Sequence, residues 1–490
     1  MKNSFLVLLL SVAISASWSQ NEVDVLRYST TDIFGSARFE SMAGSFGALG
    51  ADFSAIQINP AGMARFSGSH FSFSLNNTLV STEGLYNNTS ATERNFNIKP
   101  GVIGAVFTTD ASNDNRGVMF RQLSVGYTRL KSFDFQQRYE GQNFFSLLDV
   151  FANSGFGISP DFIYDDRPFT TGLAYDVFAL DYNENTTEYV SRLTAGDMYH
   201  NRNINTSGGI GEFHIGYSEN YMNQLYYGGS IGIRRIRYNE EYNHNERLLD
   251  TVGVSLREFD YMYNQETEGT GFNLKLGVIY LPVDQFRMGL SFESPTISNL
   301  EDTWSADMTA RHDFGDLSIN PDFLFEGRNS YRVRTPMKLR SSFAYVFNYQ
   351  GAINIDFEYV DFKRGRLSPS LDSFDGYNFT IENNEVRAQH RSVLNTRIGV
   401  EYMVLRDLFL RGGYAFLPQP FKSSIGNVTT ANQTVSLGFG MKIKNFNLDF
   451  GYRALNLNYD YYAFDPSQIE NRTQFTSWMH NVVFTFSKGF

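Results

Sequence analysis

The sequence predicts an all-β fold: a 14-stranded antiparallel transmembrane β-barrel with an N-terminal hatch, or plug, inside the lumen. Three observations predict it. From Thr476 to Phe490 the residues alternate, with Trp478, Val482, Phe484, Phe486 and Phe490 on one face of an extended strand. Asn481, Thr485, Ser487 and Gly489, with Val483 among them, take the other face. The same pattern recurs along the chain between turn signals. A secretory leader opens the chain, and no later apolar run reaches the roughly 18 residues that a spanning helix needs.

Residues 1–19 read as a signal peptide. Lys2 is the positive start, Phe5 to Ile14 the apolar core, and Ser17-Trp18-Ser19 a small-x-small cleavage site, so the mature chain begins near Gln20. Residues 20–67 lack period-two alternation. They are rich in small residues (Gly35, Ala37, Ala43, Gly44, Gly47, Ala48, Gly50, Ala51) and close on Ile58-Asn59-Pro60-Ala61-Gly62-Met63-Ala64. Short helical turns pressed against other backbone fit this composition, and the residue before proline marks a turn or helix start. A compact segment ahead of a barrel (68–490) has one natural place, inside it.

About fourteen strand-like runs follow, an even number as bacterial barrels prefer. Their spans are 69–79, 96–109, 117–139, 207–218, 224–242, 252–281, 286–309, 329–348, 352–366, 390–404, 408–420, 432–444, 446–460 and 476–490. Several alternate cleanly. Phe272, Leu274, Leu276, Val278 and Tyr280 oppose Asn273, Lys275 and Gly277; Val435, Leu437, Phe439, Met441 and Ile443 oppose Ser436, Gly438, Gly440 and Lys442. Short links at 219–223, 282–285, 349–351, 405–407 and near Asn445 interleave with longer ones at 80–95, 140–206, 310–328, 367–389, 421–431 and 461–475. Short turns at one end and long loops at the other are the polarity of an outer-membrane barrel. The 243–251 connection is the least clear. No blade repeat suggests a propeller.

Composition narrows the function. There is no cysteine, hence no disulfide and no lipobox. Aromatics make up 16%, with 45 Phe and 29 Tyr but 3 Trp, a palette suited to a lipid-facing band and its boundaries. A mean hydropathy of −0.31 excludes a helical membrane protein but suits a barrel, half of whose strand residues face water. The net charge of −11 disfavours nucleic acid. The histidines at 70, 200, 214, 244, 312, 390 and 480 form no i, i+4 metal pair. No catalytic set, metal site or cofactor is signalled, and the chain does not read as an enzyme.

Phe34-Gly35-Ser36-Ala37-Arg38-Phe39-Glu40-Ser41-Met42-Ala43-Gly44, then Gly47-Ala48-Leu49-Gly50, then Asn59-Pro60-Ala61-Gly62, resembles the N-terminal hatch of the FadL/TodX/OmpP1 family. Arg411-Gly412-Gly413-Tyr414 and the terminal Phe490 are similar too. The resemblance implies fourteen strands, a bacterial outer-membrane location and passive transport of hydrophobic compounds such as long-chain fatty acids. It further implies capture among extracellular loops, a lumen pocket, and release sideways past a moving hatch where the third strand kinks. Such a barrel is expected to be a monomer with outer-membrane lipid and lipopolysaccharide as neighbours. Nothing in the sequence separates fatty acids from aromatic hydrocarbons. A related barrel acting as a binding or assembly partner in protein secretion, or as a structural outer-membrane protein, is the alternative. A general porin and a TonB-dependent receptor fit less well.

Three sets of residues are candidates for ligand handling. In the longest loop, Phe144, Leu147, Leu148 and Phe151 follow helical spacing, as do Phe169, Leu173, Val177 and Leu180. Two such stripes can line a capture groove or pack on each other and seal the mouth. In the eighth strand Arg332, Arg334, Lys338 and Arg340 are all even-numbered, so all four face the lumen if Met337, Leu339, Phe343 and Tyr345 face lipid. There they meet a ligand carboxylate, or pair with Asp356, Glu358, Glu401 and Asp449. Gly126 is the candidate kink of the third strand and so of the lateral opening.

Overall fold

The computed structural model describes residues 22–114, 117–193, 197–250, 253–319, 325–347, 350–370, 377–422, 431–464 and 472–490. The leader at 1–19 lies outside them. Fourteen antiparallel passes form one sheet: β1 (His70–Tyr86), β2 (Thr89–Asp110), β3 in two pieces (Val118–Ser132 and Phe135–Asn143), β4 (Met198–Tyr221), β5 (Leu225–Leu248), β6 (Leu256–Val283), β7 in two pieces (Phe286–Glu293 and Ile297–His312) and β8 in two pieces (Glu326–Arg334 and Lys338–Phe347). β9 (Gly351–Asp361), β10 (Ser392–Leu405), β11 (Leu408–Leu417), β12 (Asn432–Ile443), β13 (Phe446–Tyr462) and β14 (Arg472–Gly489) complete them. β14 pairs with β1 from His70↔Gly489 to Leu85↔Gln474. That pairing closes the cylinder, as a sheet in lipid requires.

Alternation sorts the side chains. On β1, Phe71, Phe73 and Leu79 are exposed on the outer face, while Ser72, Ser74, Asn76 and Thr78 are buried inside. Above the apolar band the strands continue past their expected ends. The expected loop 80–95 is strand throughout, apart from the turn Asn87-Asn88, whose φ values of 44° and 66° are what a tight primed hairpin demands and Asn tolerates. β4 begins at Met198 rather than 207, and β5 runs to Leu248. The cause is common to all three. Outside lipid the outward positions turn polar (Ser81, Glu83, Arg94), so the hydrophobic signal fades while backbone pairing persists.

β4, β5 and β6 span 24, 24 and 28 residues, far beyond the roughly 9–11 that cross a bilayer. Their projecting ends carry a cap built from α3 (Leu147–Ser154), α4 (Ile163–Asp166), α5 (Thr171–Asp176) and the hairpin Leu180–Asn183/Glu188–Ser191. Leu148, Ile163, Leu173, Val177 and Leu180 pack there with Phe259, Tyr261 and Met308 of the wall.

Inside the cylinder the N-terminal segment is a string of short turns: α1 (Glu22–Ser29), α2 (Ala37–Ser41) and the 3₁₀ turns Phe53–Gln57 and Pro60–Arg65. The last three each have a local start signal. Ser36, Asp52 and Asn59 accept from Phe39 N, Ser54 N and Ala61 N, and Pro60 fits the first position of its turn.

Candidate functional site

The plug is held by a polar lattice in the lower lumen. Arg38 grips Glu401 with two nitrogens, at 2.8 Å each. Arg411 links Glu401 to Asp449, both at 2.6 Å. Glu40, fully buried, accepts from Gly35 N at 3.0 Å, Asn481 at 2.6 Å and Arg453 at 3.3 Å. Burial pushes the Glu40 carboxyl up, against the pull of Arg453 and these donors. Asp356 of β9 receives Phe46 N at 2.9 Å and Gly47 N at 3.1 Å.

The Asn59-Pro60-Ala61-Gly62 turn sits against bare wall backbone. Asn59 Nδ2 donates to Gly47 O at 2.7 Å and to Val278 O at 3.2 Å. A Cβ on Gly277 would fall 1.9 Å from Asn59 Oδ1, so this wall position admits no side chain. Ala61 packs with Tyr226 and Ile279, and Gly62 O receives Ala51 N at 3.0 Å.

Gly126 plays a similar part and is not the kink. It sits in an unbroken ladder opposite Gly104 and His214. A Cβ there would lie 2.5 Å from Gly104 Cα and 2.6 Å from the Phe53 ring. The glycine makes room for the plug. The break in β3 comes later, at Phe133-Asp134 between its two pieces.

That break separates wall strands. β2 pairs with β3 only from Val102↔Thr128 to Asp110↔Phe120. Beyond this, among the described residues, Thr89–Gly101 pairs with β1 alone and Phe135–Asn143 with β4 alone. The upper piece of β3 instead crosses the inner face of the β1–β2 hairpin. Asn87 Nδ2 donates to Gln142 O at 2.8 Å, the Tyr86 and Tyr139 rings lie 4.8 Å apart, and a Cβ on Gly84 would meet Arg138 O at 2.3 Å. Two ion pairs span the gap among the described residues: Lys99 Nζ reaches both Asp134 oxygens at 2.5 Å, and Arg138 Nη1 stands 4.0 Å from Glu93 Oε1.

Behind the gap lies an apolar chamber. Val25 and Tyr28 of α1 fill it, packed on Leu130 of β3 and Phe133 at its break, Ile236 and Tyr238 of β5, Tyr331 and Val333 of β8, and Phe379 and Val386 at the start of and within α6 (Thr380–Gln389). The N-terminal segment docks on the broken strand through Asp32 N to Leu130 O at 2.8 Å and Lys131 Nζ to Arg27 O at 2.9 Å. A cavity of about 20 Å³ touches Asp32, Leu130, Lys338 and Arg397, and one of about 220 Å³ lies under the plug by Arg38, His70, Phe409 and Asp449. Pockets for drug-sized molecules hold roughly 300–1,000 Å³, more than either of these two cavities.

The loop candidates divide. Leu147, Leu148 and Phe151 are buried in the cap core, whereas Phe144 precedes α3 and is 68% exposed. Phe156, Phe162, Phe178, Phe314 and Phe325 are exposed on the cap and its rim, without helical spacing to flag them. The basic quartet also divides. Lys338 and Arg340 face the lumen, where Arg340 binds Glu358 at 2.5 Å and Glu293 at 2.8 Å. Arg332 and Arg334 face outward, because Tyr331 and Val333 are the buried positions above Thr335-Pro336-Met337. The break between the two pieces of β8 slips the alternation by one residue.

The paired strands β4 and β5 bring His200, His244 and Glu246 together, fully buried, with His200 directly opposite Glu246. Arg202 Nε donates to His244 Nδ1 at 3.1 Å, so the His244 proton sits on Nε2 and goes to Glu246 Oε1 at 2.7 Å. That tautomer leaves no lone pair for a metal. Glu246 instead caps α3, accepting Ser146 Oγ at 2.5 Å and Leu147 N at 2.8 Å. His244-x-Glu246 share a strand face, but their partners are about a hundred residues away in Ser146 and Leu147.

Residues 228–487 match the family described as outer membrane protein transport protein (OMPP1/FadL/TodX). The chain belongs to this family. Its members are transport proteins of the bacterial outer membrane rather than enzymes, and the OMPP1/FadL/TodX barrel here is placed in that membrane. The fold agrees with solved relatives. The toluene transporter TodX of Pseudomonas putida is 15% identical, covering 94% of this chain and 99% of its own, with a TM-score of 0.55. A Pseudomonas aeruginosa FadL homologue is 12% identical over 94% and 98%, with a TM-score of 0.54. CymD, a monoaromatic hydrocarbon channel, is 12% identical over 94% and 98%, with a TM-score of 0.50. No curated protein sequence matches the chain.

Proposed function

We propose that the chain passively carries apolar small molecules, long-chain fatty acids first and aromatic hydrocarbons second, across the outer membrane. The observation that carries the reading is the wall gap beside the apolar chamber. Strand edges without ladder partners are costly in hydrocarbon, yet here they flank Leu130 and Phe133, which line a chamber now occupied by the chain's own Val25 and Tyr28. In this reading exposed cap phenylalanines, Phe144 among them, collect ligand from water. Residues 20–67 act as the hatch, hinged on the Asn59–Gly62 turn. Withdrawal of α1 exposes the chamber, and ligand leaves sideways past Phe133 into lipid, with no energy source beyond the gradient. Lys338, near the chamber, is the cation left to meet a carboxylate. The protein functions as a monomer. TodX and CymD being hydrocarbon channels supports the aromatic option, and likeness to the FadL homologue leaves the fatty-acid option open.

The exposed aromatic cap over a well-filled lumen supports a second reading, a docking surface for an exported protein. One experiment separates them. Cells with the chain, without it, and with α1 deleted are given labelled oleate or labelled toluene, and uptake is timed. Chain-dependent uptake of either label, altered by the deletion, is the expected result. Equal uptake with and without the barrel removes the transport reading.

A further inference from the structure

The outer surface of β8 and β9 carries more cations than carboxylates among the described residues. Arg334 and Arg366 lie directly opposite each other where β8 pairs with the short strand Arg366–Pro369. Their neighbours Val333 and Leu367 are buried, so both arginines point outward, and both are exposed. Neither has an ion pair among the described residues. Arg332, two residues above, donates to Pro369 O at 2.9 Å. Lys363 and Arg364 share a single carboxylate, Asp361, at 4.0 and 3.1 Å. On its other side Arg334 faces Ile297.

Like charges directly opposite in a ladder destabilise it. The chain is acidic overall, at −11, and at other outward positions near this height it sets carboxylates against its cations. Arg237 of β5 meets Glu268 and Glu266, and Arg328 of β8 meets Glu301 at 2.6 Å. Only the β8–β9 corner is left with an excess of positive charge among these sites. Its height is informative. Met337, Leu339, Phe343 and Tyr345 below it are exposed and apolar. At a rise of about 3.3 Å per residue this run accounts for most of the roughly 25 Å apolar band of an outer-membrane barrel. Arg334 therefore stands at the band's upper margin, the level of the outer-leaflet headgroups.

We propose that Arg334 and Arg366, flanked by Arg332, Lys363 and Arg364, form a site for the phosphate of an outer-leaflet glycolipid, the lipid A headgroup of lipopolysaccharide. Guanidinium forks suit phosphate oxygens, and two opposed forks can share one phosphate. The acyl chains of the same lipid lie on Met337, Leu339, Phe343 and Tyr359. The site is independent of the transport path, which lies on the other side of the wall.

The test uses the full chain in mild detergent, with bound lipid read by native mass spectrometry. Diphosphoryl lipid A, its dephosphorylated form and inorganic phosphate are the probes. Wild-type protein is expected to retain diphosphoryl lipid A, and R334S/R366S to retain it about tenfold less or worse. R334K/R366K, which keeps the charge, is expected to fall between them, and R237S to match wild type. Heat-modifiable migration confirms that each variant is folded. The proposal is overturned if R334S/R366S retains the lipid like wild type. It is equally overturned if dephosphorylated lipid A binds as well, or if inorganic phosphate binds alone and displaces the lipid, which marks a site for a soluble anion.

Discussion

Lys99 and Asp134 hold together two stretches of wall that share no ladder pairing. Lys99 lies on the free edge of β2, Asp134 at the break of β3, and both carboxylate oxygens stand 2.5 Å from the ammonium. Asp134 also binds Arg129 at 3.0 Å and Ser132 Oγ at 2.5 Å, so it is fixed before Lys99 arrives. A flexible lysine side chain on an acceptor already held by two other donors is a contact that can break without unfolding the wall.

Replacing Lys99 by Met should free the gap and raise the rate of ligand passage. Because the chain has no cysteine, K99C/D134C can be joined by a short thiol cross-linker without side reactions. Uptake should stop when the pair is joined and return when the linker is cleaved. Unchanged uptake in the joined protein would exclude this gap as the exit.

Glu401 is shared by Arg38 of the plug and Arg411 of the wall. Glu401→Gln leaves Arg38 without its charge partner and Arg411 with Asp449 alone, a loss of about 3 kcal/mol for a buried network. The plug should loosen, and single-channel conductance in planar bilayers should rise above that of the wild type. A variant as tightly closed as wild type would mean that other contacts hold the plug.

Gly126→Val should disturb the plug, not the gap. The added side chain collides with Phe53 and Gly104 backbone. Conductance should rise as for Glu401→Gln, while the Lys99–Asp134 cross-link still forms with normal efficiency. Loss of the cross-link instead would return the kink to Gly126.

Glu246 joins the cap to the wall by capping α3. Glu246→Ala removes that cap and its two hydrogen bonds, a cost of about 1–3 kcal/mol. Externally added protease should cut within 144–197 in the variant and spare the wild type. Added zinc should protect neither, since both His244 ring nitrogens are held in hydrogen bonds to Arg202 and Glu246.

His390, fully buried between α6 and β10, packs on Phe421, and burial beside Lys422 pushes its imidazole down to about 4. A depressed histidine contributes stability that is intact above its unfolded value of about 6.5 and is lost as pH falls through 4. Protease access to the 377–391 region should therefore increase between pH 6 and pH 4, and His390→Phe should flatten that dependence.

Alternation and turn chemistry are local properties, carried by each residue and its neighbours. The barrel class, its polarity and the compact segment that fills it followed from them without coordinates, and Phe484, Phe486 and Leu437 do face outward. So did the motif Asn59-Pro60-Ala61-Gly62, because a capped turn is written in consecutive residues. What could not be read locally is where the ladder breaks. A slip of one residue between Arg334 and Lys338 sends Arg332 and Arg334 to the opposite face from Arg340, and it depends on pairing with β7 and β9. The same holds for the parting of β2 from β3 and for α1 filling the chamber behind it. Such features are set by strands and turns far apart in the chain competing for hydrogen bonds and apolar surface, and that competition is settled only when the cylinder closes.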